Sequence, residues 1–239
     1  MRSFFQCTIT GRIKISSIFQ LNFNLSFTED SKQASRIFTE ECITLKTRLE
    51  EMARELDHII LSPLPRDLDS LEHSGQILDD YRRRLNLLEP DLNHLQETFR
   101  TITLKTPALK KSLDSLKELW KELNMQASLH ADRLKLLEGA LAGLEENEQV
   151  ISELEGRLSR HIEMPSSAEG LHEVFKQLSS LQDVITQQQP QMDKMNDQAD
   201  QLGRMGVPTK VLSDLKRLHA NVERLNTRWN NICVQLAER

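Results

Sequence analysis

The chain has 239 residues, 38% of them apolar and 28% charged, with a formal net charge of -5, 5% aromatics, 8 glycines and 7 prolines. That composition describes a helical chain of one or two domains, and its acidic balance argues against a nucleic-acid-binding body or a generic affinity for anionic membranes. No apolar run approaches the roughly 18 residues that span a bilayer, and the scattered Cys7, Cys42 and Cys233 form neither a disulfide framework nor a zinc pattern, which fits a reducing compartment.

Residues 1–28 differ from the rest. They hold five of the eight phenylalanines and the bases Arg2, Arg12 and Lys14, with no acid. The alternation in "RIKISSIFQLNFNLSF" suits a strand or an aggregation-prone segment. Gln6, Thr8, Thr10 and Arg12 interrupt any secretory apolar region. The segment is expected to be a non-repeat leader, disordered or loosely packed.

From Ser31 the spacing predicts helix. A first stripe runs Phe38, Cys42, Leu45, Leu49, Met52, Leu56, with Cys42 as a small core residue. Pro63 and Pro65 end it, and Asp67 is placed to cap the next helix. The second stripe runs Leu68, Leu71, Gly75, Leu78, Leu85, Leu88, Leu92, Leu95, Phe99 and Ile102. The third begins at Leu109 and keeps one seam to Ile162, with no proline between Pro107 and Pro165. Such a helix would be about 80 Å long, more than one compact domain needs, and is expected to serve two bodies. His130 interrupts its seam and reads as a solvated or edge histidine. A fourth stripe, Leu171, Val174, Leu178, Leu181, Ile185, Met192, Met195, Ala199 and Leu202, ends at Gly206 and Pro208, and a fifth closes the chain.

Two of these stripes repeat. Relative to Trp120 and Trp229, which lie 109 residues apart, apolar residues recur at matched positions: Leu109 and Leu218, Leu113 and Val222, Leu116 and Leu225, Leu123 and Ile232, Ala127 and Leu236. The second and fourth stripes match too, each with one internal proline, Pro90 or Pro190, expected to kink both helices at the same place. The fold class read from this is all-α: two tandem antiparallel three-helix bundles sharing a continuous linker helix, over residues 29–129 and 130–239. Trp120, Leu116 and Leu123 in one copy, and Trp229, Leu225 and Ile232 in the other, are the expected structural core. The last helix stops ten residues after Trp229, so the second bundle is expected to fray at that end.

Catalytic chemistry has no foothold in the sequence. There is no glycine-rich phosphate loop, no His-Glu-x-x-His and no nucleophile elbow, and the seven histidines do not cluster. No catalytic, cofactor-binding or metal residue is expected, and no cofactor. The basic runs Arg82, Arg83, Arg84 and Lys110, Lys111 read as solvated helix faces, with acidic lipid or a filament as the alternative contact.

Three-helix units marked by Trp in "LNTRWNNICVQLAER", with Leu225, Arg228, Trp229, Ile232, Leu236 and Arg239, resemble spectrin repeats, and "LKELWKELNMQASLHADR" is the second match. The chain departs from the family at Leu154, where a first-helix tryptophan is sought, and in proline-to-tryptophan spacing, 30 residues in one copy and 39 in the other. It looks most like repeats of giant linker proteins, the nesprins, spectraplakins or dystrophin family, with nesprin-like repeats favoured. The resemblance implies a non-catalytic scaffold and elastic spacer that is cytoplasmic and cytoskeleton-associated, with the nuclear envelope a further site. Its implied partners are cytoskeletal proteins, actin or other spectrin-repeat proteins, and a monomer without nucleic acid or membrane span is expected. The alternative is an extended coiled-coil or membrane-associated helical dimer.

Overall fold

The computed structural model describes residues 5–103, 105–159 and 167–238, with side chains described at Glu29 and from Ser31 onward. Its elements are α1 (Phe5–Ile60), α2 (Leu68–Asn86), α3 (Glu89–Thr101), α4 (Pro107–Ser159), α5 (Ala168–Met205), a 3-10 turn (Thr209–Val211) and α6 (Leu212–Ala237). The fold is all-α, and no strand occurs among the described residues.

Local chemistry sets these boundaries. Asp67 accepts a bond from the Ser70 amide at 2.8 Å and so starts α2; that bond holds its carboxyl below the usual range. Thr106 accepts from the Leu109 amide at the start of α4, where Pro107 takes the first helical position. Ser167 does the same for α5 through Gly170. Gly206 ends α5 at a φ of 72°, a left-handed conformation that glycine adopts without strain. The backbone of residues 5–28 continues α1 where alternation suggested a strand; once the following stripe is nucleated, each added residue extends the helix with one more hydrogen bond.

The chain divides into two compact units, residues 1–55 with 81–125, and residues 56–80 with 126–239. In the first, Phe38, Cys42, Leu45 and Leu49 of α1 are buried with Tyr81 and Leu85 of α2, Leu92 and Leu95 of α3, and Leu113, Leu116 and Leu123 of α4. Phe38 meets Phe99 in a tilted pair 5.8 Å between ring centres, and Lys105 lies over the Phe99 ring. Burial pushes the Cys42 thiol up to about 11, with Glu41 adding to the rise, so this cysteine is inert filling.

The second unit buries Ile151, Leu154 and Leu158 of α4 with Leu181, Met192, Met195, Ala199 and Leu202 of α5 and Leu215, Leu218, Val222 and Leu225 of α6. Each of these side chains except that of Ala199 contributes about 1.5–3 kcal/mol. Gly143 and Gly139 let α4 and α5 approach closely: a Cβ on Gly143 would sit 2.8 Å from Cβ of Met195.

Two expectations are corrected. The second stripe is not one kinked helix: α2 ends at Asn86, and α3 starts at Glu89 with Pro90 in its first turn. Pro90 has no amide hydrogen and its ring crowds the carbonyl four residues back, at Asn86, which is where α2 stops. Pro190, by contrast, lies inside an unbroken α5. His130 is not solvated but buried, at 7% exposure, inside the second unit. A smaller difference concerns Leu171, which is 45% exposed at the start of its stripe; Ile162, the expected end of the third stripe, lies outside the described residues.

Candidate functional site

A polar network lies at the level of Pro190 in the second unit. Trp229 is buried, at 4% exposure, between Leu225 and Ile232 on its own helix, and its indole N–H donates to Oε1 of Gln189 at 2.9 Å. The preceding Gln188 donates from Nε2 to Oδ1 of Asn147 at 2.9 Å. Asn147 is fully buried on α4 and donates to the Gly143 carbonyl at 2.7 Å and to the Met195 sulfur at 3.8 Å. Asn196 and Asn226 exchange bonds of 3.2 and 2.7 Å between α5 and α6. The glutamines just before the proline are thus tied to both neighbouring helices, which holds a turn that has lost one backbone donor.

Arg228 fastens the outside of this level. Its guanidinium donates to Glu155 at 2.8 and 3.0 Å, to Ser152 at 3.1 Å and to Glu148, all on α4. Those bonds raise the arginine pKa and lower that of Glu155. The planar fork suits such multiple recognition, and lysine would not reproduce it.

The matching level of the first unit is built differently. Trp120 is only half-buried, although Leu116 and Leu123 beside it are buried. Its N–H donates to the Leu85 carbonyl at 3.3 Å, next to the tightened turn in which the Leu88 amide also bonds Leu85. Where the helix breaks, the indole helps satisfy backbone. Where it continues, the indole bonds a side chain. Arg48 pairs with Asp91 at 2.5 Å and Arg84 with Glu55.

Residues 141–239 match the family model of the spectrin repeat. This segment is a spectrin repeat. No curated protein matches the chain. The spectrin repeat carries Trp229, Leu225, Ile232 and Arg228 of the expected pattern; Leu236 is half-buried and Arg239 lies outside the described residues. Leu154, where the family's first-helix tryptophan is sought, is buried at 1% exposure.

The loop after α1 meets the first turn of α6. The Leu64 amide donates to Oδ2 of Asp214 at 3.2 Å, and Arg217 holds the other oxygen of that carboxylate at 2.9 Å. Nearby, a cavity of about 160 Å³ is lined by His58, Ser62, Pro63, Ser74, Ile77 and His130, among others. Nδ1 of His130 has no hydrogen-bond partner among the described residues, and burial, with help from Arg133, depresses its pKa to about 4.

The spectrin repeat family is structural and non-catalytic. Among the described residues no three metal-ligating side chains gather, and no helix is long and apolar enough to cross a membrane. Sequence reasoning missed Asn147, Gln188 and Gln189, because a polar residue inside a seam carries no periodic signal.

Proposed function

We propose that the chain is a structural module of a cytoskeletal linker protein. Two spectrin-type bundles, residues 29–129 and 130–239, are coupled through α4 and act as an elastic spacer. Their charged helix faces serve as binding surfaces for cytoskeletal proteins, with actin or other spectrin-repeat proteins as the partner class, at cytoskeletal or nuclear-envelope sites in the cytoplasm. The observation that carries this reading is α4 itself. It is helical from Pro107 to Ser159 and bears both Trp120 and the buried Ile151 and Leu154 of the spectrin repeat.

Stretching the full chain in optical tweezers tests the spacer role. Cooperative steps are expected, each releasing roughly 100 residues or about 35 nm at full extension, or one doubled step where α4 transmits unfolding. Smooth extension with no cooperative step would defeat the reading. Co-sedimentation with filamentous actin tests the partner class separately.

A further inference from the structure

The turn after α1 encloses a cavity within the second unit whose wall is mostly carbon. The side chains of Ile59, Pro63, Leu64, Pro65, Ile77 and Leu134 line it, and only His58, Ser62, Ser74 and His130 bring polar side chains. Its volume of about 160 Å³ is close to the roughly 150 Å³ of an apolar cavity that holds one benzene ring. Water alone fills such a space badly. About five molecules would be needed at roughly 30 Å³ each, and every one needs two to four polar partners. The turn backbone offers few donors, because Pro63 and Pro65 have no amide hydrogen and the Leu64 amide is already bonded to Asp214.

The polar atoms that remain define what fits. Ser62 Oγ donates to the His58 carbonyl at 2.8 Å and Ser74 Oγ to the Ser70 carbonyl at 2.9 Å, so both hydroxyls keep only lone pairs for a guest. His130 is 7% exposed, and its Nδ1 has no partner among the described residues. An unmade bond at a buried nitrogen is costly, and a guest atom placed against it removes that cost. In a neutral imidazole Nδ1 donates in one tautomer and accepts in the other. A hydroxyl meets either, since it can do both. No Asp, Glu, Lys or Arg lines the cavity, so a charged guest would enter without a counter-charge on the wall. Ile77, at 41% exposure, and the exposed His58 leave the cavity open to solvent on their side.

We propose that this cavity binds a small neutral phenol, with its ring among Ile59, Leu64, Ile77 and Leu134 and its hydroxyl on Nδ1 of His130. The bound ring ties the turn after α1 to α4 and stabilises the second unit increasingly with ligand concentration. The site lies within that unit and does not rest on the spacer reading.

The test titrates phenol and benzene separately into the full chain, labelled at histidine rings and isoleucine methyl groups, and follows both by two-dimensional NMR. Saturable one-to-one binding of phenol is expected, with a Kd on the order of 0.1–1 mM for so small a ligand. Shifts should gather at His130, Ile59 and Ile77, with the histidines outside the cavity unmoved. His130→Leu should weaken phenol by about tenfold or more and leave benzene unchanged or tighter, read at the two isoleucines. The wild-type shifts decide the matter by themselves if that variant fails to fold. No saturable binding up to about 10 mM phenol, shifts that spare His130 and both isoleucines, or phenol binding that His130→Leu leaves unchanged or weakens no more than benzene binding would overturn the proposal.

Discussion

Replacing His130 with leucine should stabilise the protein, and by more in acid than at neutral pH. The imidazole sits in a cavity with His58 from α1 and Ser62 and Ser74 from either side of the following turn, one helical turn before Arg133. Its folded-state pKa is depressed from 6.5 to about 4, first by burial and then by the Arg133 charge. Between those values the unfolded chain holds the proton and the folded chain does not, so stability falls as pH falls through that window. Each pH unit crossed inside the window costs about 1.36 kcal/mol, so the loss specific to His130 is about 2 kcal/mol at pH 5 and close to zero at pH 7.5. Leucine removes this loss, and at neutral pH it also removes a buried ring nitrogen without a partner among the described residues, a gain of about 1 kcal/mol. Urea unfolding followed by circular dichroism at both pH values, on the wild-type chain and His130→Leu, isolates the difference from the carboxylates that titrate in both. Parallel pH dependences would refute the burial of a neutral imidazole at this position.

The two tryptophans should not be equivalent. Trp229→Ala should cost about 3–5 kcal/mol and Trp120→Ala, from a half-buried site, about half that, read from chemical denaturation. Gly143→Ala should destabilise by about 1–3 kcal/mol, because its new Cβ meets Cβ of Met195. Gly139→Ala should be neutral or stabilising by up to about 1 kcal/mol, because only the flexible end of the Gln198 side chain stands in the way; thermal melts of the pair check the contrast. Arg228→Met should cost about 1 kcal/mol at low ionic strength and less in molar salt, seen as a salt-dependent gap between the two melting curves.

Much of the fold was legible because it is written in apolar spacing and proline placement. The absence of proline between Pro107 and Pro165 foretold α4 to within a few residues, and Asp67 marked the start of α2. Two prolines in matched positions read alike, yet one ends a helix and the other lies within one. The difference rests on Gln188 and Gln189, which bond Asn147 and Trp229 across the bundle, while Glu89 stands where Gln189 does. Pairings of that kind are tertiary and leave no local signature. His130 departs from expectation for the same reason. Its polarity suggests solvent, but the turn after α1 closes over it.

Everything proposed about mechanical coupling depends on α4 being one helix through the level of His130. Hydrogen exchange resolved along residues 107–159, at neutral pH and in mild urea, tests that most directly. Unbroken protection from Leu116 through Ile151 is expected, lost together as denaturant rises. Rapid exchange confined to residues 126–133, with protected helix on either side, would mean two helices joined by a loose link and would contradict the coupling.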